Sequence, residues 1–488
     1  MAEKTSGLKS GTLGLAGLVA LGAVMMSPAL GLYGNWGPMA AIVGLPTPLV
    51  FLAALLIALP TAASYALLTR RLPSSGSAYA WTWQFISPPA GAWVGLLMAA
   101  YYIVAVILQP AFFGLVFNDL LGQFGLAHPN LWTWALGAVV VTVFAMFLTY
   151  RGVSVSIKGT VIFLVIEVLV VVALTVTIVA TGASHGIGLS LKPFYPSEIL
   201  GGGGAFWTAM ILGVLSFTGF DVISTVAEEA QAPRRLLPRA TLLACIVVGV
   251  FWAINAWAFS ISEPLSAVQD LISSGTTPAP AIAEAYWGAG KILVTLTAMT
   301  ATAASYVACA VGASRVLFAQ GRQGTVPRLL GSTHARSGVP VNALHVVFGI
   351  VAIGLTIVTA WLKNPISAYV WWAGSVVFFA LITYGFVHAS NYAYFRKTKH
   401  FNVFLNAVIP TVGITLAVYL LYKSFFVNLW SQDWNAGKSV VVFAVAVSIL
   451  AALYVLILRI IRPAVLTGPL SEPTNSATPS PVPAVDGQ

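Results

Sequence analysis

The sequence predicts an all-α polytopic membrane protein, and three observations predict it. Apolar residues (Ala, Val, Ile, Leu, Met, Phe, Trp, Tyr and Cys) make up 59% of the 488-residue chain and charged residues only 7%, whereas a soluble domain is about 25% charged. The apolar residues gather into twelve runs, each long enough to cross roughly 30 Å of hydrocarbon as a helix. None of these runs alternates apolar and polar residues as a transmembrane strand would.

The runs fall near 12–44, 46–69, 88–118, 132–149, 158–181, 205–230, 239–262, 290–320, 341–362, 366–394, 402–424 and 438–461. The first is too long for a signal-peptide core and lacks a small-residue cleavage site, so it reads as a retained span. The expected organisation is an N-terminal segment 1–11, five spans in 12–182, an outer loop 183–204, five spans in 205–396, two peripheral spans in 397–462 and a tail 463–488. The tail is expected to be disordered, because from Leu466 it is rich in Ser, Thr and Pro, a composition that does not build a core. Cys245 and Cys309 fall inside spans and read as small buried hydrophobes.

Orientation follows from the basic residues. With both termini placed in the cytoplasm, 18 of the 23 Lys and Arg lie on the inner side, leaving Lys192, Lys291, Lys363, Lys423 and Lys438 outside. That asymmetry satisfies the positive-inside rule for a multi-pass protein of the cell membrane. The net charge of +10 is therefore a topology signal. No basic cluster is interleaved with stacking aromatics, so no nucleic-acid partner is expected.

Two spans carry helix breakers at mid-depth. In GAVMMSPALGLYGNWGP, Gly22 to Pro38, Pro28 has no N–H and its ring clashes with the Val24 carbonyl, so the ladder opens there. In the sixth span Gly213, Ser216, Thr218 and Gly219 loosen the helix just before Asp221. The first and sixth spans are those a five-plus-five duplication would pair. Interrupted segments at matching positions of two halves point to a transporter's binding site, because irregular backbone at that depth has to line a cavity.

At these residues the chain resembles the amino acid-polyamine-organocation (APC) superfamily of permeases. The resemblance rests on FTGFDVISTVAEEAQAPRRLLPRA (Phe217 to Ala240), on GASRVLFAQGRQGTVPRLL (Gly312 to Leu330) followed by Gly338 to Ala343, and on PSSGSAYAW with SPPAGAW before the third span. It implies a LeuT-type fold, with ten core helices in an inverted repeat and two peripheral ones. The implied activity is alternating-access carriage of amino acids or related amines. By the same resemblance the substrate would meet Val24, Met25, Met26, Ser27, Ala29 and Gly31 on the first span, and Ser216, Phe217, Thr218, Gly219 and Asp221 on the sixth. The family's first helix usually opens at Gly-Ser-Gly, whose N–H groups hold a carboxylate, whereas the matching triplet here is Met26-Ser27-Pro28. Glu167 stands where many proton-coupled relatives carry a lysine, and Lys158 reads as an anchor at the span's end.

Glu167 and Asp221 are the acids placed well inside the hydrocarbon. An ionisable group there costs about 2.5 kcal/mol or more to insert, which makes each a functional candidate. Asp221 either caps the second half-helix at Ile223 and Ser224 or meets a substrate cation. Glu167 either bonds a neighbouring hydroxyl or carries a coupling proton. Thr302 and Ser305 could join carbonyls freed in the first span as a sodium site. Tyr101, Tyr102, Tyr369, Trp371 and Trp372 are candidates for pocket lining as well as for packing, Phe217 for a gate, and the GGGG at 201–204 for a mobile loop. His345 and His388 read as residues of helix ends, and His128 and His185 as residues of outer loops, with no metal spacing among them.

The function expected is secondary transport of an amino acid or small organic amine, coupled to protons, with sodium coupling or exchange as the alternative and a non-transporting membrane sensor or embedded enzyme as the alternative of another class. Its partners are the substrate, a proton or sodium ion and the lipid bilayer. No cofactor is expected. An enzyme is disfavoured by the lack of an HExxH or nucleophile motif, and ATP-driven pumping by the lack of a GxxxxGK[ST] loop.

Overall fold

The computed structural model describes residues 11, 13–126, 130–151, 153–273, 276–335, 337–468 and 470, with backbone alone for 153–160 and 436. Twelve helices among these residues are long and apolar enough to cross a membrane. Spans 1 to 6 are Leu15–Val43, Thr47–Arg71, Pro88–Gln123, Leu131–Tyr150, Val161–Ala180 and Gly202–Thr225. Spans 7 to 12 are Pro233–Ser262, Pro278–Gln323, Val341–Leu362, Pro365–Phe395, Phe404–Leu429 and Ser439–Ile461. The chain is thus the all-α polytopic architecture its composition implies.

Burial separates a centre from a periphery. Over its most apolar stretch span 3 is 83% buried and span 6 equally so, against 28% for span 11 and 22% for span 12, which places the first two at the centre. Outward-facing Ile162, Val165, Leu169, Leu450 and Ile460 are exposed. In water such a surface would drive association, whereas against lipid tails it is matched. Span 8 packs on span 3, and Gly312 lets the two helices approach closely, since a Cβ on it would stand 2.5 Å from the Tyr102 ring.

The broken spans sit against one another in this centre. Span 1 runs as Leu15–Met26, interrupts at Ser27 with φ 49°, restarts at Pro28–Leu30 and then winds as a wide π-helical turn over Gly31–Trp36 before Gly37–Val43. A positive φ is rare for serine. It marks where the missing Pro28 N–H has released the ladder. Span 6 runs to Phe217, unwinds through Thr218–Asp221 and resumes for one turn at Val222–Thr225. Span 5 packs on both halves of span 1 and on span 8.

Two expectations are corrected. Gly202–Gly204 form the first turn of span 6 and are not part of a loop. At the start of the tail expected to be disordered, Pro463–Thr467 are helical, and Leu466 packs with Tyr79, Trp83 and Val455, apolar neighbours that anchor it. Residues 471–488, His128 and the Lys158 side chain lie outside the described residues.

Candidate functional site

The helix breaks expose backbone groups, and each finds a distinct answer. The Val24 carbonyl has lost its helical donor, because residue 28 is proline. The Met25 carbonyl accepts from Ser305 Oγ on span 8 at 3.1 Å. The Pro28 carbonyl accepts from Trp252 Nε1 at 2.9 Å. Gly31 makes room for that indole, since a Cβ on it would stand 2.3 Å from Trp252 Nε1. On span 6, Gly219 adopts φ +125° and presses against Met25, with 2.8 Å between a hypothetical Cβ and Met25 Cγ. Conformation and close approach both require glycine there.

Between the breaks lies a cavity of about 30 Å³ lined by Met25, Met26, Leu30, Asn35, Ala105, Leu108, Gln109, Leu215, Ser216, Thr218, Cys309 and Tyr369. A single water needs about 10–15 Å³ of such space, so the site has room for a water or two and the helices must part to admit a substrate. It is closed at both ends. Towards the end of span 1, Asn35 Nδ2 donates to Ser216 Oγ at 2.8 Å and Tyr369 Oη donates to Asn35 Oδ1 at 2.9 Å. At the face where span 1 begins, Leu13 and Gln231 N–H groups bond the Glu229 and Leu13 carbonyls at 3.1 and 2.9 Å. There the buried pair Arg315–Glu229, at 3.0 Å, is joined by Arg322–Glu228 at 2.8 Å and by the Ser75 hydroxyl on Glu228. Burial raises the Glu229 carboxyl above its usual range against the opposing pull of Arg315.

Asp221 is fully buried, and its carboxylate is held by three phenols and one backbone N–H. It makes no side-chain cap to the turn that follows. Its Oδ1 accepts from Tyr101 Oη at 3.0 Å, Tyr384 Oη at 3.1 Å and the Gly219 N–H at 3.1 Å, and its Oδ2 accepts from Tyr102 Oη at 2.7 Å. It does not line the cavity. Four donors on one carboxylate satisfy its lone pairs without a cation, and rings of Tyr65 and Phe220 pack around Tyr384. Tyr101 and Tyr102 thus serve the acid, whereas Tyr369 lines the cavity. Trp371 and Trp372 pack on Phe443.

Glu167 is 1% exposed, and among the described residues its Oε2 has no hydrogen-bond partner. Neither Glu167 nor Asp221 belongs to an ion pair among the described residues.

Of the residues expected at the substrate, Met25, Met26, Ser216 and Thr218 line the cavity. Val24, Ser27, Ala29, Gly31, Phe217 and Gly219 lie outside its lining; Phe217 packs edge-on against Trp252 at 5.0 Å. Ser27 is buried with an unpartnered hydroxyl, and its N–H is held by the Ala23 carbonyl at 2.7 Å. Ser305 meets the freed Met25 carbonyl, whereas the Thr302 hydroxyl donates to Ala298 within its own helix at 2.6 Å. Asn35 and Gln109 are not singled out by the sequence, and Cys309 reads there only as a small buried hydrophobe, because an amide or thiol in an apolar run carries no local signal of which way it faces.

His388 corrects another expectation. It is fully buried, with Thr61 and Ser64 hydroxyls 3.1 and 3.0 Å from its two ring nitrogens. Asn391 Nδ2 donates to Ser64 at 3.1 Å and Asn406 Nδ2 to Asn391 at 3.0 Å, so one polar chain ties spans 2, 10 and 11. Because span 10 continues to Phe395, His388 lies inside the bundle and not at a helix end.

Comparison with known proteins adds to this geometry. A family model described as "Amino acid permease" matches residues 13–452. The chain is 27% identical over 437 residues to the low-affinity putrescine importer PlaP of Escherichia coli (strain K12), covering 87% of this chain and 90% of that one. It is 25% identical to the branched-chain amino acid permease BcaP of Lactococcus lactis, covering 69% of this chain and 72% of the relative. To the Asc-type amino acid transporter 1 of Mus musculus it is 24% identical, over 49% of this chain and 43% of the relative.

Proposed function

Because the chain belongs to the amino acid permease family, we propose that it is a proton-coupled secondary carrier that moves an amino acid or small organic amine across the cell membrane by alternating access. The observation that carries this reading is the pair of facing breaks, at Ser27–Pro28 and at Thr218–Asp221, around a cavity closed at both ends. Carbonyls released at Val24 to Met26 are acceptors for a substrate ammonium, and Asp221 supplies a negative field behind them. Rocking of spans 1 and 6 against spans 3, 8 and 10 would part the Asn35–Tyr369 contact on one side or the Arg315–Glu229 pair on the other. In this reading the spans form two inverted five-helix repeats, both termini are cytoplasmic, and the chain performs no chemical conversion.

The coupling proton is assigned to Glu167, a buried carboxyl with an unpartnered oxygen on a span that packs against both halves of span 1. A protonated glutamic acid is neutral and a deprotonated one charged, so gaining or losing the proton changes the field felt by the moving helix. The Ser305–Met25 contact favours one second reading, a sodium ion held by that hydroxyl and carbonyl.

The test is uptake of labelled amino acids and amines into proteoliposomes. Saturable flux with counterflow is expected, and an acid-outside gradient should drive accumulation. A protein without counterflow for any of these solutes would be no carrier. Accumulation indifferent to the pH gradient would move the coupling to sodium or to exchange.

A further inference from the structure

Span 3 contributes one polar side chain to the cavity, Gln109, and half of its amide is unused. Its Nε2 donates to the Ala105 carbonyl at 3.2 Å and lies 3.8 Å from Cys309 Sγ. Its Oε1 is buried without a partner. Among the described residues it is the one side-chain nitrogen or oxygen of the lining that lacks a hydrogen bond. The amide's orientation is fixed by Ala105: turning it over would set Oε1 against a carbonyl, acceptor on acceptor. An unmet buried acceptor of this kind destabilises the structure unless something donates to it.

The same cavity is poor in what a carboxylate needs. No Lys, Arg or His lines it. Of the N–H groups at the break in span 1, that of Ser27 is bonded to Ala23 and residue 28 has none, which reduces a carboxylate's donors there to the N–H groups of Ala29 and Leu30. A trail of contacts leads from the break to Gln109: Met25 carbonyl to Ser305 Oγ at 3.1 Å, Ser305 Oγ to Cys309 Sγ at 3.9 Å, and Cys309 Sγ to Gln109 Nε2 at 3.8 Å. The break and the free amide oxygen therefore bound one short, acceptor-lined space.

We propose that Gln109 is a specificity-determining residue whose Oε1 accepts from a second N–H donor at the far end of the substrate, so that the site selects a short aliphatic diamine. One ammonium meets the carbonyls of the broken span 1 and the other meets Gln109. The methylenes between them lie against Met25, Met26 and Leu108. A carboxylate at the far end would face the amide oxygen and be rejected. A methyl group there would leave the oxygen unmet. The inference rests on the carrier reading for the site it occupies, and binding tests it separately from flux.

The experiment measures equilibrium binding to the purified full-length protein by calorimetry and thermal shift. Three probes share a four-carbon chain and one ammonium: putrescine, n-butylamine and γ-aminobutyrate. A hydrogen bond from a charged donor predicts that putrescine binds about tenfold or more tighter than butylamine, with γ-aminobutyrate weakest. In Gln109→Met, which keeps the length but not the acceptor, the putrescine-to-butylamine ratio falls to near one. In Gln109→Glu it rises. Equal binding of putrescine and butylamine by the wild type, or a Gln109→Met ratio equal to the wild type's, would overturn the proposal and leave Oε1 to a water. Tightest binding of γ-aminobutyrate would overturn it in favour of a turned amide. Should Gln109→Met fail to fold, the wild-type ratios decide alone. Selective putrescine binding without counterflow would sink the carrier reading and not this one.

Discussion

Ser305 Oγ on span 8 donates to the Met25 carbonyl on span 1 across 3.1 Å, so a hydroxyl from a distant helix takes the place of the helical donor the break removes. Removing it leaves a buried carbonyl short of a partner. Ser305→Ala should lower stability by about 1–3 kcal/mol, read as a fall in melting temperature in detergent. Under proton coupling, wild-type uptake should be the same with choline in place of sodium. A sodium requirement abolished by Ser305→Ala would instead make this contact an ion site.

Pro28 maintains the interruption that Ser305 bridges. Pro28→Ala returns an N–H to the Val24 carbonyl and should restore part of the ladder. Uptake is expected to drop with expression and membrane insertion intact. Unchanged uptake would remove the break from the mechanism.

Asp221 depends on three phenols from two other spans. A hydrogen bond to a charged group contributes about 1.5–3 kcal/mol, so Tyr102→Phe should destabilise by that order, and Tyr384→Phe similarly. The double variant should lose less than the sum, because both donors serve one carboxylate. In Asp221→Asn, a large loss of affinity for a cationic amine is expected; retained affinity with only a stability change would confine Asp221 to a structural role.

Glu167→Gln mimics the protonated acid permanently. It should abolish uphill uptake driven by an acid-outside gradient while preserving substrate binding and exchange. A variant that still concentrates substrate with the gradient would remove the proton from this residue.

The Arg315–Glu229 pair is almost wholly buried, with 3% and 2% of its side chains exposed, which makes single-partner removal severe. Glu229→Gln should cost about 3–5 kcal/mol by leaving the guanidinium without its anion. Pairing it with Arg315→Met should recover much of the lost melting temperature, a recovery that a mere packing defect at Glu229 would not show.

The sequence by itself determined the twelve spans and the two places where they break. Each depends on local facts: the length of an apolar run, the N–H that proline lacks at residue 28, and the glycine and hydroxyls before Asp221. It also determined that Glu167 and Asp221 lie within spans, because insertion depth follows from position along the run. Only the tertiary structure decided what those acids touch. The phenols on Asp221 come from 120, 119 and 163 residues away. An aromatic in a membrane run reads the same whether it faces lipid, packing or a carboxylate. His388, Gln109 and Asn35 were obscure for the same reason. In a bundle apolar on both its inner and its lipid-facing surfaces, periodicity carries little record of facing, and a buried polar side chain acquires its role only from the helix that packs against it.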